Sequence, residues 1–246
     1  MSEQGERIQR LRFLPHFVVA VDGPSGAGKS TVAKLLAEAL GIDYIDTGAM
    51  YRAVGLKFLR SGVAKMDKRD GSDEPSASDD LLWEVLAETE IDLDGGRVLL
   101  DGEDVSGLIR TPEVSMVASR YSALPVVREK LVALQREMGA RKSVVMDGRD
   151  IGTNVFPDAR FKFFITAAAE TRAERRYKEL LEKGMKERYE DVFLELMRRD
   201  KDDSERELNP LRQADDAILL QTDRLGIAEV LNLVLYEMEQ IADENV

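Results

Sequence analysis

The chain has 246 residues, 43% of them apolar and 33% charged, which is enough for one large domain with a true core and unlike disordered or collagenous sequence. The absence of cysteine excludes disulfide scaffolds, thiolate metal sites and thiol catalysis, and a single histidine, His16, excludes histidine-cluster metal sites. With 35 Lys+Arg against 47 Asp+Glu the formal charge is −12, so neither duplex nucleic acid nor an anionic membrane surface is the expected partner.

Residues 1–15 read as a short polar extension without an apolar signal core, and no apolar run reaches bilayer-spanning length, so the expected location is cytoplasmic. His16 is expected to be exposed just ahead of the first strand. The continuous run Phe17-Val18-Val19-Ala20-Val21 predicts a strand buried on both faces. A glycine-rich turn follows. Val32, Leu35, Leu36, Ala39 and Leu40 then keep a helical period, and Gly41 is placed to stop the helix.

That turn, Gly23-Pro24-Ser25-Gly26-Ala27-Gly28-Lys29-Ser30, matches the phosphate-loop pattern G-x-x-x-x-G-K-[ST], with Thr31 continuing into the helix. Glycines let successive backbone N–H groups point at phosphate oxygens, and the helix adds its positive N-terminal end. Lys29 supplies a cation for the outer phosphates, and Ser30 a hard oxygen ligand for Mg²⁺. A ligand-free turn does not need this combination, and a dinucleotide loop has different spacing. No guanine-reading N-K-x-D motif is present.

Further short strands are expected at Ile42–Ile45, Ser143–Met146, Phe161–Thr166 and Ala217–Gln221. Helical stripes lie between and after them: one with Val127, Leu131, Leu134 and Met138, and a last one with Ile227, Val230, Leu231, Val234, Leu235, Met238 and Ile241. Strands alternating with helices predict a parallel sheet covered on both faces. Two stretches break the alternation. Met66–Pro75 is too polar to pack and reads as a connector. Beyond a helical segment around Trp83, expected to be a packing residue, Thr89–Leu93 and Arg97–Leu100 flank Asp94-Gly95-Gly96 as a hairpin. A small inserted subdomain is therefore expected at about residues 66–115. The second stretch, Ala167–Arg212, is densely charged and arginine-rich.

After the second strand comes Asp46-Thr47-Gly48-Ala49-Met50-Tyr51-Arg52. With the phosphate loop, it resembles the nucleoside monophosphate kinases, most closely the cytidylate (CMP/dCMP) kinases of bacterial type. The resemblance continues through Gly102-Glu103-Asp104-Val105-Ser106, Ile109-Arg110-Thr111, Asp147-Gly148-Arg149-Asp150-Ile151-Gly152-Thr153, Val155-Phe156-Pro157-Asp158-Ala159 and Arg199-Asp200…Asp203…Arg206, covering about Val18 to Ile241. It implies an α/β phosphate-loop kinase core with a doubly wound sheet of about five parallel strands. It also implies an inserted monophosphate-binding subdomain with a small antiparallel sheet, and a helical lid over residues 167–212. Residues 16–246 would form the kinase domain after the extension.

The implied reaction is transfer of a phosphoryl group from ATP, with Mg²⁺, to CMP or dCMP. Bringing two polyanions together calls for converging arginines, because guanidinium is planar, always charged and bidentate towards phosphate. By resemblance, Arg52, Arg149 and Arg206 hold the acceptor phosphate, with Thr47 beside them. Ser119, Arg128 and Asp150 read cytosine. A carboxylate can take the amino hydrogen that uracil lacks. Asp203 and Arg199 read the sugar, while Asp200 and Asp202 between them are expected to be solvated. Arg172, Arg175 and Arg176 share a helix face and fit lid arginines over the donor phosphates, although Glu170, Glu174 and Glu179 are alternative partners; at most two, led by Arg172 and Arg176, are expected to act. Asp147 either holds Mg²⁺ through a water or caps the following turn, and Asp22 is expected to be structural. A monomer that closes over its substrates is expected. The alternatives are a kinase for another monophosphate, such as UMP, and a nucleotide-binding switch without transfer.

Overall fold

The computed structural model describes residues 3–66 and 77–243. Of the expected polar connector, residues 67–76 lie outside the described residues. The chain forms two compact units, Met1–Ile45 with Gly139–Val246, and Asp46–Met138.

The first unit is built on a five-stranded parallel sheet in the order β2-β6-β1-β7-β8. The strands are β1 (Val18–Asp22), β2 (Asp43–Asp46), β6 (Val144–Gly148), β7 (Phe161–Thr166) and β8 (Ile218–Gln221). β1 pairs in parallel with β6 and with β7, and β7 with β8. All five residues of β1 and all five of β6 are buried, as expected of central strands whose apolar runs, Val18–Val21 and Val144–Met146, are unbroken up to an aspartate at the C-terminal end. All five expected strands are present, each displaced by at most a residue or two.

Helix α2 (Lys29–Leu40) buries Val32, Ala33, Leu36, Ala37 and Leu40 against the sheet. It stops at Gly41, whose N–H donates to the Glu38 carbonyl while the Ile42 N–H reaches back to Ala37. α10 (Ile227–Asp243) buries Val230, Val234, Leu235 and Met238 in the same core. The expected N-terminal extension contains a helix, α1 (Glu3–Arg12), with Leu11 fully buried in that core. Arg7 pairs with Glu239 at 2.7 Å, and Arg12 donates to the Ala39 carbonyl. α8 (Ala169–Glu182) and α9 (Tyr189–Glu205) form the arginine-rich stretch and pack on each other.

The second unit contains α3 (Thr47–Ser61), α4 (Val63–Met66), α5 (Asp79–Ala87), α6 (Pro112–Tyr121) and most of α7 (Pro125–Arg141). A small antiparallel sheet, β3 (Ile91–Asp94), β4 (Arg97–Leu100) and β5 (Glu103–Asp104), realises the expected hairpin and extends it by one strand. α3 and α6 pack closely at Gly55, where a Cβ would meet the Ala118 backbone N at 3.0 Å. Trp83 does not pack as expected. It is 42% exposed, and α5 turns Leu82 and Leu86 inward instead. The apolar stripe of α5 runs at a spacing of four, and Trp83 falls just off it.

Candidate active site

The chemistry-bearing residues of the first unit gather at the C-terminal ends of β1 and β6, where parallel sheets collect ligands. β1 ends at Asp22, the chain turns through Gly23 to Gly28, and α2 starts at Lys29. Gly23 has φ 143° and sits so close to β7 that a Cβ would lie 2.0 Å from the Ile165 carbonyl oxygen, so no side chain fits there. Lys29 is buried, and its Nζ donates to the Pro24 carbonyl at 2.7 Å. Burial, helped by nearby Arg149, lowers its pKa to about 7 against the pull of Asp147, Asp22 and Asp203.

Ser30 Oγ donates to Asp147 Oδ2 at 2.7 Å, and the Tyr44 hydroxyl donates to Asp147 Oδ1 at 2.8 Å. The expected Ser30–Asp147 pair is therefore assembled, from residues far apart in the chain. Serine hydroxyl and carboxylate are both hard oxygen donors, which suits Mg²⁺. Among the described residues, no group of three His, Cys, Asp or Glu side chains could hold a metal ion. An ion here would take its remaining ligands from nucleotide and water. Tyr44 was not singled out in the sequence; nothing local distinguishes it from a tyrosine of an edge strand.

Two ion pairs follow β6. Arg149 Nε donates to Asp203 Oδ2 at 2.7 Å, and Arg206 Nη2 lies 3.3 Å from Asp150 Oδ1. Burial opposes the charge of Asp203, but Arg149 beside it, with Arg206 and Arg199 nearby, holds its pKa below the ordinary carboxylate value. Asp150 also accepts from Asn154 Nδ2 at 3.0 Å. Arg206 is thus the ion-pair partner of Asp150, and the neighbouring Arg149 turns to α9 instead. Three of the expected acceptor residues and the expected sugar reader Asp203 meet in these pairs.

The three arginines of α8 diverge. Arg172 is buried, donates to the Ser25 carbonyl of the phosphate loop at 3.0 Å and pairs with Asp200 at 2.6 Å. Asp200 is therefore not a solvated charge, because α9 packs it against α8; Asp202 remains exposed. Arg175 donates to Thr222 beyond β8, and Arg176 pairs with Glu179 at the surface, as one of the alternative partnerships foresaw. Asp22, expected to be structural, faces the turn that follows β6. Its oxygens accept the N–H groups of Ile151 and Gly152 at 2.9 and 2.7 Å.

The second unit holds the other expected acceptor residues. Asp46 caps α3 by accepting from the Ala49 N–H and pairs with Arg52 at 3.2 Å. Thr47 is buried at the first turn of the same helix. Arg128, on α7, is 4% exposed, with its guanidinium 5.8 Å from the Tyr51 ring centroid and Nη1 3.4 Å from the Ser122 carbonyl. A buried arginine with an aromatic neighbour is not a solvated helix charge. Ser119 lies half-buried on α6.

A phosphate loop between a central parallel strand and a helix, flanked by a hydroxyl–carboxylate pair and converging arginines, defines a phosphotransferase of the phosphate-loop kinase class. Residues 19–240 match the cytidylate kinase family. The cytidylate kinase of Caldanaerobacter subterraneus subsp. tengcongensis is 51% identical over 216 residues, covering 88% of this chain and 92% of the relative. That of Caldicellulosiruptor bescii is 49% identical over 221 residues (88% and 93%), and that of Clostridium perfringens strain SM101 is 43% identical over 222 residues (90% and 97%). The chain belongs to the cytidylate kinase family and is an enzyme that uses a nucleotide phosphoryl donor. Among the described residues, no helix is long and apolar enough to cross a membrane.

Proposed function

We propose that the protein transfers the γ-phosphoryl group of ATP to CMP or dCMP, giving ADP and the cytidine diphosphate. The observation that carries this reading is the gathering of Lys29, the Ser30–Asp147 pair, Arg149–Asp203 and Arg206–Asp150 beyond the ends of β1 and β6. The acceptor phosphate is largely ionised near neutral pH and needs no catalytic base. The demand on the protein is then positioning and charge neutralisation.

Backbone N–H groups of the loop from Ser25 through Thr31 cradle the donor phosphates, and Lys29 leaves the Pro24 carbonyl for a phosphoryl oxygen. Binding a polyanion beside Lys29 favours its protonated form. Ser30 and Asp147 would hold Mg²⁺, which shields negative charge on the donor. Arg172, seated against the loop, and Arg176 act on the donor side. Arg52, Arg149 and Arg206, with Thr47, take the acceptor phosphate. Asp150, Arg128 and Ser119 select cytosine, and Asp203 with Arg199 engages the sugar. A uracil O4 facing a carboxylate would be unfavourable, so UMP is the poorer acceptor.

The test is ADP release from ATP and Mg²⁺ with CMP, dCMP, UMP, AMP or shikimate. Release with CMP and dCMP well above the other acceptors is the expected result. A preference for another acceptor would overturn the substrate assignment. The same enzyme is proposed to act as a cytoplasmic monomer; sedimentation at working concentration checks its assembly state.

A further inference from the structure

A short π-helical turn, Ile151–Val155, follows β6 and begins immediately after Arg149 and Asp150. The first N–H groups of any helix lack intrahelical acceptors. An aspartate at the preceding position ordinarily supplies one with its own side chain. Asp150 occupies that position, yet it makes no side-chain capping bond to the turn. Its carboxylate faces Arg206 and Asn154 instead. The donors of Ile151 and Gly152 are served by Asp22, whose two oxygens each accept one of them.

Asp22 is an expensive choice for this task. It is 5% exposed at the end of an otherwise apolar strand, and burial raises its pKa to about 6 against the pull of the Gly152 and Ile151 N–H groups, with Asp150 adding to the rise and Lys29 opposing it. Two parallel donors are matched one to one by the two oxygens of a carboxylate, where an amide or hydroxyl offers a single acceptor atom. Asp22 is also the residue directly before the phosphate loop. At Gly152, a Cβ would lie 3.4 Å from Asp22 Oδ2 and 3.2 Å from Lys162 Cδ, so the backbone approaches closely.

We infer that Asp22 is a positioning residue for phosphoryl transfer: by capping the turn at Ile151 and Gly152 from the neighbouring strand, it relieves Asp150 of that task, so that the Asp150 carboxylate is oriented by Arg206 and Asn154, and it locks the Arg149–Asp150 segment to the base of the phosphate loop. The inference rests on the acceptor-recognition role proposed for Asp150.

The test compares Asp22→Asn, Asp150→Asn and the double variant in CMP kinetics, with binding of a non-hydrolysable ATP analogue and circular dichroism alongside. Asp22→Asn keeps the shape but replaces one acceptor with a donor. The expected result is a fall of at least tenfold in kcat/KM for CMP, with analogue affinity within about threefold of the parent and a native spectrum. Added to Asp150→Asn, the same change should cost less than it does alone, because the two residues act through one element. CMP kinetics within twofold of the parent, equal losses of CMP and analogue affinity, or full additivity would overturn the proposal. If Asp22→Asn does not fold, Asp22→Ser, which retains one acceptor, is read in the same way. Failure of both to fold would also overturn it, because a structural clasp would then be a sufficient account. A silent Asp150→Asn would defeat the recognition reading itself, whereas a damaging Asp150→Asn beside a silent Asp22→Asn defeats only the clasp.

Discussion

Lys29 sits inside a loop whose backbone would hold phosphates without it, so its removal separates folding from turnover. Lys29→Ala should keep a native circular-dichroism spectrum, because among the described residues its Nζ bonds a loop carbonyl and no other element, and should lose turnover by about 10²-fold or more in a coupled ADP assay. Arg128 tests the base-reading assignment. If a charged hydrogen bond to the pyrimidine is lost, Arg128→Ala should lower kcat/KM for CMP by about 2–3 kcal/mol, on the order of 30- to 150-fold. Unchanged values for CMP and UMP alike would reject the role. Asp203 has a pH signature. Its folded pKa lies below the ordinary carboxylate value, so its stabilising contribution is present above that value and lost as the pH falls through the folded one. Asp203→Asn should therefore be less stable than the parent by about 1–3 kcal/mol at pH 7, with a gap that closes below about pH 4 in denaturant titrations. A gap that persists in acid would assign the loss to packing. The loop around Lys29 was legible because all its parts are contiguous. The pairs Arg149–Asp203, Arg206–Asp150 and Arg172–Asp200 were not, because each joins residues that only the tertiary fold brings together.

At the scale of elements, the central strands were easy to read, because burial on both faces leaves apolar residues at Val18–Val21 of β1 and Val144–Met146 of β6, with an aspartate only at the C-terminal end of each run. α1 was hidden for the opposite reason. Ten residues carrying five charges look like a tail, and the helix docks chiefly through Leu11 and the Arg7–Glu239 pair. Deleting residues 1–14 should uncover part of the core beside α2 and α10. The expected loss is about 2–4 kcal/mol, from one fully buried leucine and a half-buried ion pair, with kcat held within about twofold. Thermal melts and steady-state kinetics check both halves; an unchanged melting temperature would mean that α1 is not held on the core. The π turn after β6 was equally invisible, since its capping group lies on β1, far away in sequence.

For the molecule as a whole, alternating strands and helices predicted the sheet, whereas strand order followed from no local signal. β1 joins β6 and β7 rather than its sequence neighbour β2, and the whole Asp46–Met138 unit is inserted between β2 and β6. During synthesis from the N-terminus, β1 and β2 therefore emerge well before β6, the strand that sits between them. At roughly 5–20 residues per second, the interval is on the order of 5–20 s. Throughout it, an apolar strand ending in Asp22 has neither of its eventual neighbours, and by its end Asp46–Met138 has emerged and can organise around its own interior. A nascent chain of this enzyme should accordingly be most dependent on chaperones just before β6 appears, and ribosome-bound chains halted there should be far more protease-sensitive at β1 than chains halted after β7.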